Sequence, residues 1–183
     1  MGDMENLMER ETELLVRGRI RDIPDYPKKG IVFKDITPLL KDNGAFAACI
    51  DELAKDVRGL KPDYIVGMES RGFILGGALA YKLKLGFIPA RKQGKLPYDK
   101  VSRSYGLEYG TATLEMHKDA IERDSKILIV DDLLATGGTA KATAGLVEEL
   151  GGKVLGFAFL IELAELNGRK ALPAGEVISL IKY

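Results

Sequence analysis

Asp131 and Asp132 stand side by side, and a few positions later the chain offers Thr136, Gly137, Gly138 and Thr139. Two adjacent carboxylates beside an anion pocket would repel a bare phosphate. Their chemistry is instead to accept hydrogen bonds from vicinal sugar hydroxyls or to face the water shell of Mg²⁺. The glycine pair lets the backbone turn its N–H groups toward an anion with no Cβ in the way. If a helix begins there, its unpaired first-turn amides and the positive end of its dipole add to the hydroxyls of Thr136 and Thr139. A ribose 5-phosphate satisfies both halves. The competing structural reading is a glycine-rich turn carrying two solvated aspartates.

Such a site needs a strand in front and a helix behind. Residues 127–130 are four consecutive aliphatics, three of them β-branched, which suits a central parallel strand covered on both faces. Asp131 and Asp132 then fall at its carboxyl end, the edge where open α/β sheets bind ligands. Thr139 is expected to cap a helix that runs to Leu150 and stops at Gly151-Gly152. The same succession occurs earlier: a strand over 64–68, the turn Glu69-Ser70-Arg71-Gly72-Phe73, and a small-residue helix to about Lys84. Arg71 offers a planar fork to a pyrophosphate, or is a surface cation. Strands expected at 86–90, 111–116, 154–161 and 177–181, with a helix from Asp42 or Asn43 to about Arg58, complete an alternation that predicts a mostly parallel sheet flanked by helices.

Two segments do not fit that alternation. Residues 20–38 hold three prolines and a glycine, which forbid a long helix and predict an irregular, ordered hood over about 20–40. Within it Phe33 either stacks on a flat ligand such as a nucleobase or plugs the core beneath the hood. Residues 91–105 carry five cations, among them Arg91, Lys92 and Lys95, against one acid. With Gly94, Pro97 and two serines, this stretch reads as a mobile basic lid, continuing to about 109, or as a solvated charge run.

The ten residues from Val130 to Thr139 resemble the phosphoribosyl-pyrophosphate (PRPP) motif of the type I phosphoribosyltransferases. Their Leu-Leu-Ala-Thr-Gly-Gly-Thr form is similar to the adenine phosphoribosyltransferases in particular. The resemblance extends over nearly the whole chain from Ile20 and takes in three further segments. It implies the type I phosphoribosyltransferase fold and the conversion of adenine and PRPP to AMP and pyrophosphate, a step of purine salvage, with Mg²⁺ as cofactor. Ala135, Thr136, Gly137, Gly138 and Thr139 then hold the 5-phosphate, and Asp131 and Asp132 the ribose hydroxyls. No direct protein ligand to the metal is expected, since PRPP and water would carry it, with Asp131 and Asp132 reaching it through water.

The turn at Ser70 and Arg71 resembles the family's pyrophosphate loop, in which a non-proline cis peptide often precedes the serine. Arg91-Lys92-Gln93-Gly94-Lys95-Leu96-Pro97 and Tyr105-Gly106-Leu107-Glu108-Tyr109-Gly110 resemble its flexible catalytic loop and the strand that flanks it, residues 107–109 being expected to form a hairpin with 111–116 around Gly110. By resemblance Ser70, Arg71, Arg91, Lys92, Lys95 and Tyr109 join the PRPP site, with Arg71 also catalytic, taking charge that grows on the pyrophosphate. Glu108 becomes a catalytic group that either stabilises an oxocarbenium-like centre or moves a proton on the base. The hood resembles the base-binding segment, which places Val32, Phe33 and Lys34 against adenine with Leu163 as an apolar contact; Lys34 stands where some members have Arg.

Composition sets the outer bounds. The chain has 183 residues and is 46% hydrophobic, enough for one domain over 1–183 with a small accessory piece. Its formal charge is zero, so there is no global basic field for nucleic acid. Cys49 is the only cysteine, which fits a reducing compartment and a buried structural role. Neither an apolar run of spanning length nor a basic-then-apolar leader is found, so no membrane association and a cytoplasmic location are expected. His117 stands alone in a polar turn and reads as structural. A homodimer is implied by the resemblance only. Two other functions use the same motif: transfer to hypoxanthine, guanine or xanthine, and a regulator that keeps the PRPP pocket as an effector site and binds nucleic acid. Zero net charge and the absence of an appended helix-turn-helix pattern weigh against the second.

Overall fold

The computed structural model describes the backbone of residues 2–107 and 110–183, and side chains over 10–106 and 110–183. Glu108 and Tyr109, expected in catalysis and PRPP binding, lie outside the described residues. The chain divides into two compact units, Met1–Glu52 and Leu53–Tyr183.

In the first unit, helix α1 (Gly2–Arg17) closes with an Arg17–Glu13 ion pair one turn apart. The hood is more regular than its prolines predict. Strand β1 (Arg21–Pro24) pairs antiparallel with β2 (Val32–Asp35), in register from Arg21↔Asp35 to Pro24↔Val32. Pro24 is tolerated because it ends its strand at the edge of a two-stranded ribbon. Tyr26–Pro27 is cis in the connection. A short helix α2 (Thr37–Lys41) has Pro38 in its first turn, where a missing N–H costs nothing. Asp42 then accepts the Ala45 N–H at 3.0 Å, capping α3 (Asn43–Val57). Cys49 is fully buried, and burial pushes its thiol up to about 12. A thiolate there is excluded at neutral pH.

The second unit is built on a seven-stranded sheet in the order β5-β6-β4-β3-β7-β8-β9. Strand β3 (Tyr64–Met68) leads through helix α4 (Arg71–Leu83) to β4 (Gly86–Lys92) on one side, while β7 (Lys126–Leu134) leads through α5 (Gly138–Glu149) to β8 (Lys153–Glu162) on the other. Strand β9 (Glu176–Lys182) runs parallel to β8, so five neighbouring strands are parallel. Right-handed crossovers that leave the centre in opposite directions put α4 and α5 on opposite faces. Side-chain alternation records the two coverings. Ile65 and the space at Gly67 meet the α4 side, where the Phe87 ring also packs against Gly76. Val66, Met68, Ile127 and Ile129 instead join the buried cluster that includes Ala140, Ala144 and Val147 of α5.

Strand β6 (Gly110–His117) is antiparallel to β4, and β5 (Lys100–Leu107) pairs antiparallel with β6 along its length, from Lys100↔His117 to Leu107↔Gly110. The stretch expected as one loop over 92–109 is therefore a turn at 93–99 followed by an edge strand. Period-two burial explains the difference: Val101 and Tyr105 pack on the core cluster, and the Arg103 guanidinium lies across Gly145 of α5.

Candidate active site

Because α4 and α5 leave neighbouring strands in opposite directions, the carboxyl ends of β3 and β7 form the switch point of the sheet, where open α/β folds leave a crevice. Tyr64↔Ile127 to Gly67↔Val130 are paired, so Met68 stands beside Asp131. Both line a cleft with Leu133 to Ala140 and Phe159. The sequence-predicted phosphate residues Ala135, Thr136, Gly137, Gly138 and Thr139 are thus brought together in one wall.

The local chain path differs from expectation in one respect. Gly137, not Thr139, is the N-cap of α5; it sits at φ 82°, and no side chain caps the helix. Thr139 lies within the first turn, where its carbonyl accepts the Thr143 hydroxyl at 3.0 Å. A left-handed cap points first-turn amides outward without a blocking side chain, leaving an anion as their natural partner. A Cβ on Gly138 would lie 3.5 Å from the Tyr105 ring and 3.6 Å from the Gly106 carbonyl oxygen, so β5 flanks the same helix terminus.

The two aspartates, read as equivalent from sequence, are separated by the structure. Strand β7 continues through both of them to Leu134, so successive side chains face opposite sides of the sheet. Asp131 lines the cleft and accepts the Asp132 N–H at 2.9 Å. Asp132 is buried and ion-paired to Arg71 Nε at 2.6 Å. Burial and the Asp132 charge hold the Asp131 carboxyl well above its ordinary range. Burial also raises Asp132, and Arg71 opposes the shift. An acid at the cleft wall with a raised pKa gains from any hydroxyl donor or cation that stabilises its ionised form.

At the neighbouring turn the Glu69–Ser70 peptide is cis, as the family resemblance implied. Ser70 is exposed and is the N-cap residue of α4, and Arg71 begins the helix. Gly72 allows the two turns to touch, since a Cβ there would lie 2.7 Å from Asp131 Oδ1 and 2.9 Å from the Val130 carbonyl oxygen. Glu69, not singled out in the sequence, accepts Arg91 Nε and the Lys92 N–H, each at 3.2 Å. Burial works against the Glu69 charge, but these donors outweigh it and leave the carboxyl below its ordinary pKa. Arg91 also donates to the Lys95 carbonyl at 3.0 Å, and the buried Glu115 carboxylate accepts the Gly94 N–H at 3.0 Å. One signal for Glu69 was available: an acid immediately before a basic loop's partner turn.

Val32, Phe33 and Lys34 lie on β2 in the first unit, with Val32 exposed and Phe33 half-buried, edge-to-face on Tyr26 at 5.3 Å. Lys34 Nζ donates to Asp22 Oδ1 at 2.8 Å. Leu163 is half-buried in the second unit, directly after β8, with its N–H on the Leu134 carbonyl at 2.9 Å. Among the described residues, no group of three or more His, Cys, Asp or Glu side chains is placed to hold a metal ion.

This architecture has close counterparts. The phosphoribosyl transferase domain family matches residues 39–181. An adenine phosphoribosyltransferase of Brachyspira hyodysenteriae is 60% identical over 90% of this chain and 96% of its own length. The chain belongs to the adenine phosphoribosyltransferase family. The solved enzyme of Thermoanaerobacter pseudethanolicus superposes with a TM-score of 0.91 at 55% identity, covering 93% of this chain and 99% of that one. The Saccharomyces cerevisiae adenine phosphoribosyltransferase, solved with adenine and an imino-altritol bisphosphate, gives a TM-score of 0.88 at 40% identity over 93% and 99% of the two chains. The type I phosphoribosyltransferase fold expected from sequence is thus that of this family.

Proposed function

We propose that the protein transfers a phosphoribosyl group from PRPP to adenine, giving AMP and pyrophosphate in purine salvage. The observation that carries the reading is the junction of two strand-loop-helix turns at the switch point, one presenting backbone amides and Asp131 to a cleft, the other presenting Arg71. In this reading the amides of 135–139 and the hydroxyls of Thr136 and Thr139 hold the 5-phosphate, and Asp131 accepts from a ribose hydroxyl. Arg71 exchanges part of its pairing with Asp132 for the pyrophosphate, and Ser70, Arg91, Lys92 and Lys95 add donors to the same anion. Adenine N9 attacks the anomeric carbon as the bond to pyrophosphate breaks, and the charge growing on the leaving group meets these donors. Such a centre carries oxocarbenium character.

Glu108 is proposed to stabilise that centre or to take the proton released from the base, and Tyr109 to line the PRPP site. Val32, Phe33, Lys34 and Leu163 are proposed to recognise adenine, the base present in the yeast relative's structure. Mg²⁺ suits a cleft wall whose Asp131 carboxyl, raised by burial and by Asp132, gains from a nearby cation; it would be held by PRPP and water, with Asp131 and Asp132 outside its direct shell, and would supply neutralisation of the pyrophosphate charge. The segment 92–109 is proposed to close over PRPP as part of a single functional domain over 1–183. A homodimer and a cytoplasmic location complete the proposal. Among the described residues no helix is long and apolar enough to cross a membrane.

The deciding experiment is an initial-rate panel of adenine, hypoxanthine, guanine and xanthine with PRPP. Adenine should lead the others in kcat/KM by at least about a hundredfold, the margin expected when unmatched polar edges are left in a base site. A faster rate with any other base would replace the substrate assignment. Salt-dependent nucleic-acid binding with no turnover would instead revive the regulator.

A further inference from the structure

The phosphate turn has a second support, on chain that follows the sheet. Gly168 presses on it from behind: a Cβ at Gly168 would collide with the Ala135 carbonyl oxygen, and a Cβ at Gly137 would lie 2.5 Å from the Gly168 carbonyl oxygen and 3.1 Å from Ala171 Cβ. The segment 164–171 is two short 3-10 turns, a form with little stability of its own. Something must fix it in place. At its start Glu162, the last residue of β8, is buried. At its end Arg169 donates from Nε to Glu162 Oε1 at 2.6 Å and from Nη2 to Glu162 Oε2 at 2.7 Å. Ser179 of β9 donates to Glu162 Oε2 and accepts from Arg169 Nη2 at 2.9 Å. Arg169 Nη1 donates to the Val177 carbonyl at 2.8 Å. Arg169 and Ser179 hold the Glu162 carboxyl below its ordinary pKa, against the push of burial.

From this geometry we infer that Glu162 and Arg169 are positioning residues for the phosphate turn. Their bidentate pair ties both ends of 163–169 together, so that the Gly168 backbone backs Ala135 and Gly137 while Leu163 leaves β8 at a fixed angle. Neither residue reaches the cleft lining. Their effect passes through the backbone contact at Gly168, and it acts on binding of the 5-phosphate equally in the ground and transition states. The inference rests on the proposed role of 135–139 in holding that phosphate.

The test measures ribose 5-phosphate binding by calorimetry, together with kcat and KM for PRPP. Arg169→Gln should raise the ribose 5-phosphate Kd and the PRPP KM by about tenfold, as expected when a binding group is displaced by a fraction of an ångström, while kcat at saturation stays within about threefold, the pattern of uniform binding. Ser179→Ala, which keeps the ion pair and removes one bridge, should raise the same Kd about twofold to fivefold. Ile181→Val, in the buried part of β9, lowers stability without touching the pair and should leave the Kd unchanged. An Arg169→Gln protein with a lowered melting temperature and a wild-type Kd overturns the inference. If Arg169→Gln does not fold, a wild-type Kd in Ser179→Ala overturns it equally, and a raised Kd there sustains it. Failure of wild-type protein to turn over adenine would remove the proposed reaction, whereas the ribose 5-phosphate measurement would still decide the pair.

Discussion

Two turns of the same construction meet at the carboxyl edge of the sheet, and they offer a ligand different things. Between β3 and α4 the chain supplies a side chain, Arg71, already paired to the buried Asp132. Between β7 and α5 it supplies bare backbone, with Gly137 in the left-handed conformation and a cleft lined by Asp131 and residues 133–140. The first suits a mobile, multiply charged group, because a guanidinium can follow its partner and switch from one oxygen to another. The second suits one fixed phosphate, because amides at a helix terminus cannot move without the helix. Gly72 holds the two so close that Asp131 touches both turns.

The comparison breaks most completely at Gly137. Gly137→Ala places a Cβ at φ 82° and 2.5 Å from the Gly168 carbonyl oxygen, so the turn must shift. kcat/KM for PRPP should fall by about a hundredfold, the size of effect expected from a displacement near 1 Å; steady-state kinetics would check it. Arg71→Lys strikes the other turn and should raise the inhibition constant for pyrophosphate by about tenfold, since a point charge cannot reproduce a fork. Lysine still reaches Asp132, so thermal unfolding should change little. A wild-type inhibition constant in that variant would remove Arg71 from the pyrophosphate site.

Asp131→Asn separates stability from function. The folded-state pKa of Asp131 is raised, so the native state binds this proton more tightly than the unfolded chain. Its contribution to stability is therefore complete below the unfolded carboxylate value and is lost as pH rises through the raised folded value. Asparagine keeps an acceptor for the Asp132 N–H and removes the charge. The variant should gain about 1 kcal/mol near neutral pH, a rise in melting temperature of about 2–4 °C, with the gain fading toward about pH 4. PRPP use should fall. A melting curve that does not respond to the substitution at any pH would refute the burial account. Thr136→Ala is the mildest: Thr136 is exposed, and one neutral hydrogen bond makes about a twofold to fivefold change in KM for PRPP.

Much of this was legible in the chain. The aliphatic run 127–130, the glycine pair and the small-residue helices located both turns, because strand burial and helix starts leave local signals. What was not legible depended on partners distant in sequence. Asp131 and Asp132 looked alike until strand β7 proved to run through both, sending one to the cleft and the other to Arg71. The basic stretch read as a lid became in part strand β5, because pairing with β6 and the seat of Arg103 on Gly145 are tertiary facts. Thr139 looked like the cap, but a left-handed glycine two residues earlier took that place.

The division of labour between the two turns is open to one crossed measurement. Ribose 5-phosphate and pyrophosphate would each be titrated by calorimetry, without the base, into the wild-type protein, Gly137→Ala and Arg71→Lys. Gly137→Ala should lose ribose 5-phosphate affinity by more than about tenfold while pyrophosphate stays within about threefold, and Arg71→Lys should do the reverse, since each change removes contacts to one anion only. Equal losses of both ligands in both variants would contradict the account, because the switch point would then be a single anion site and not two.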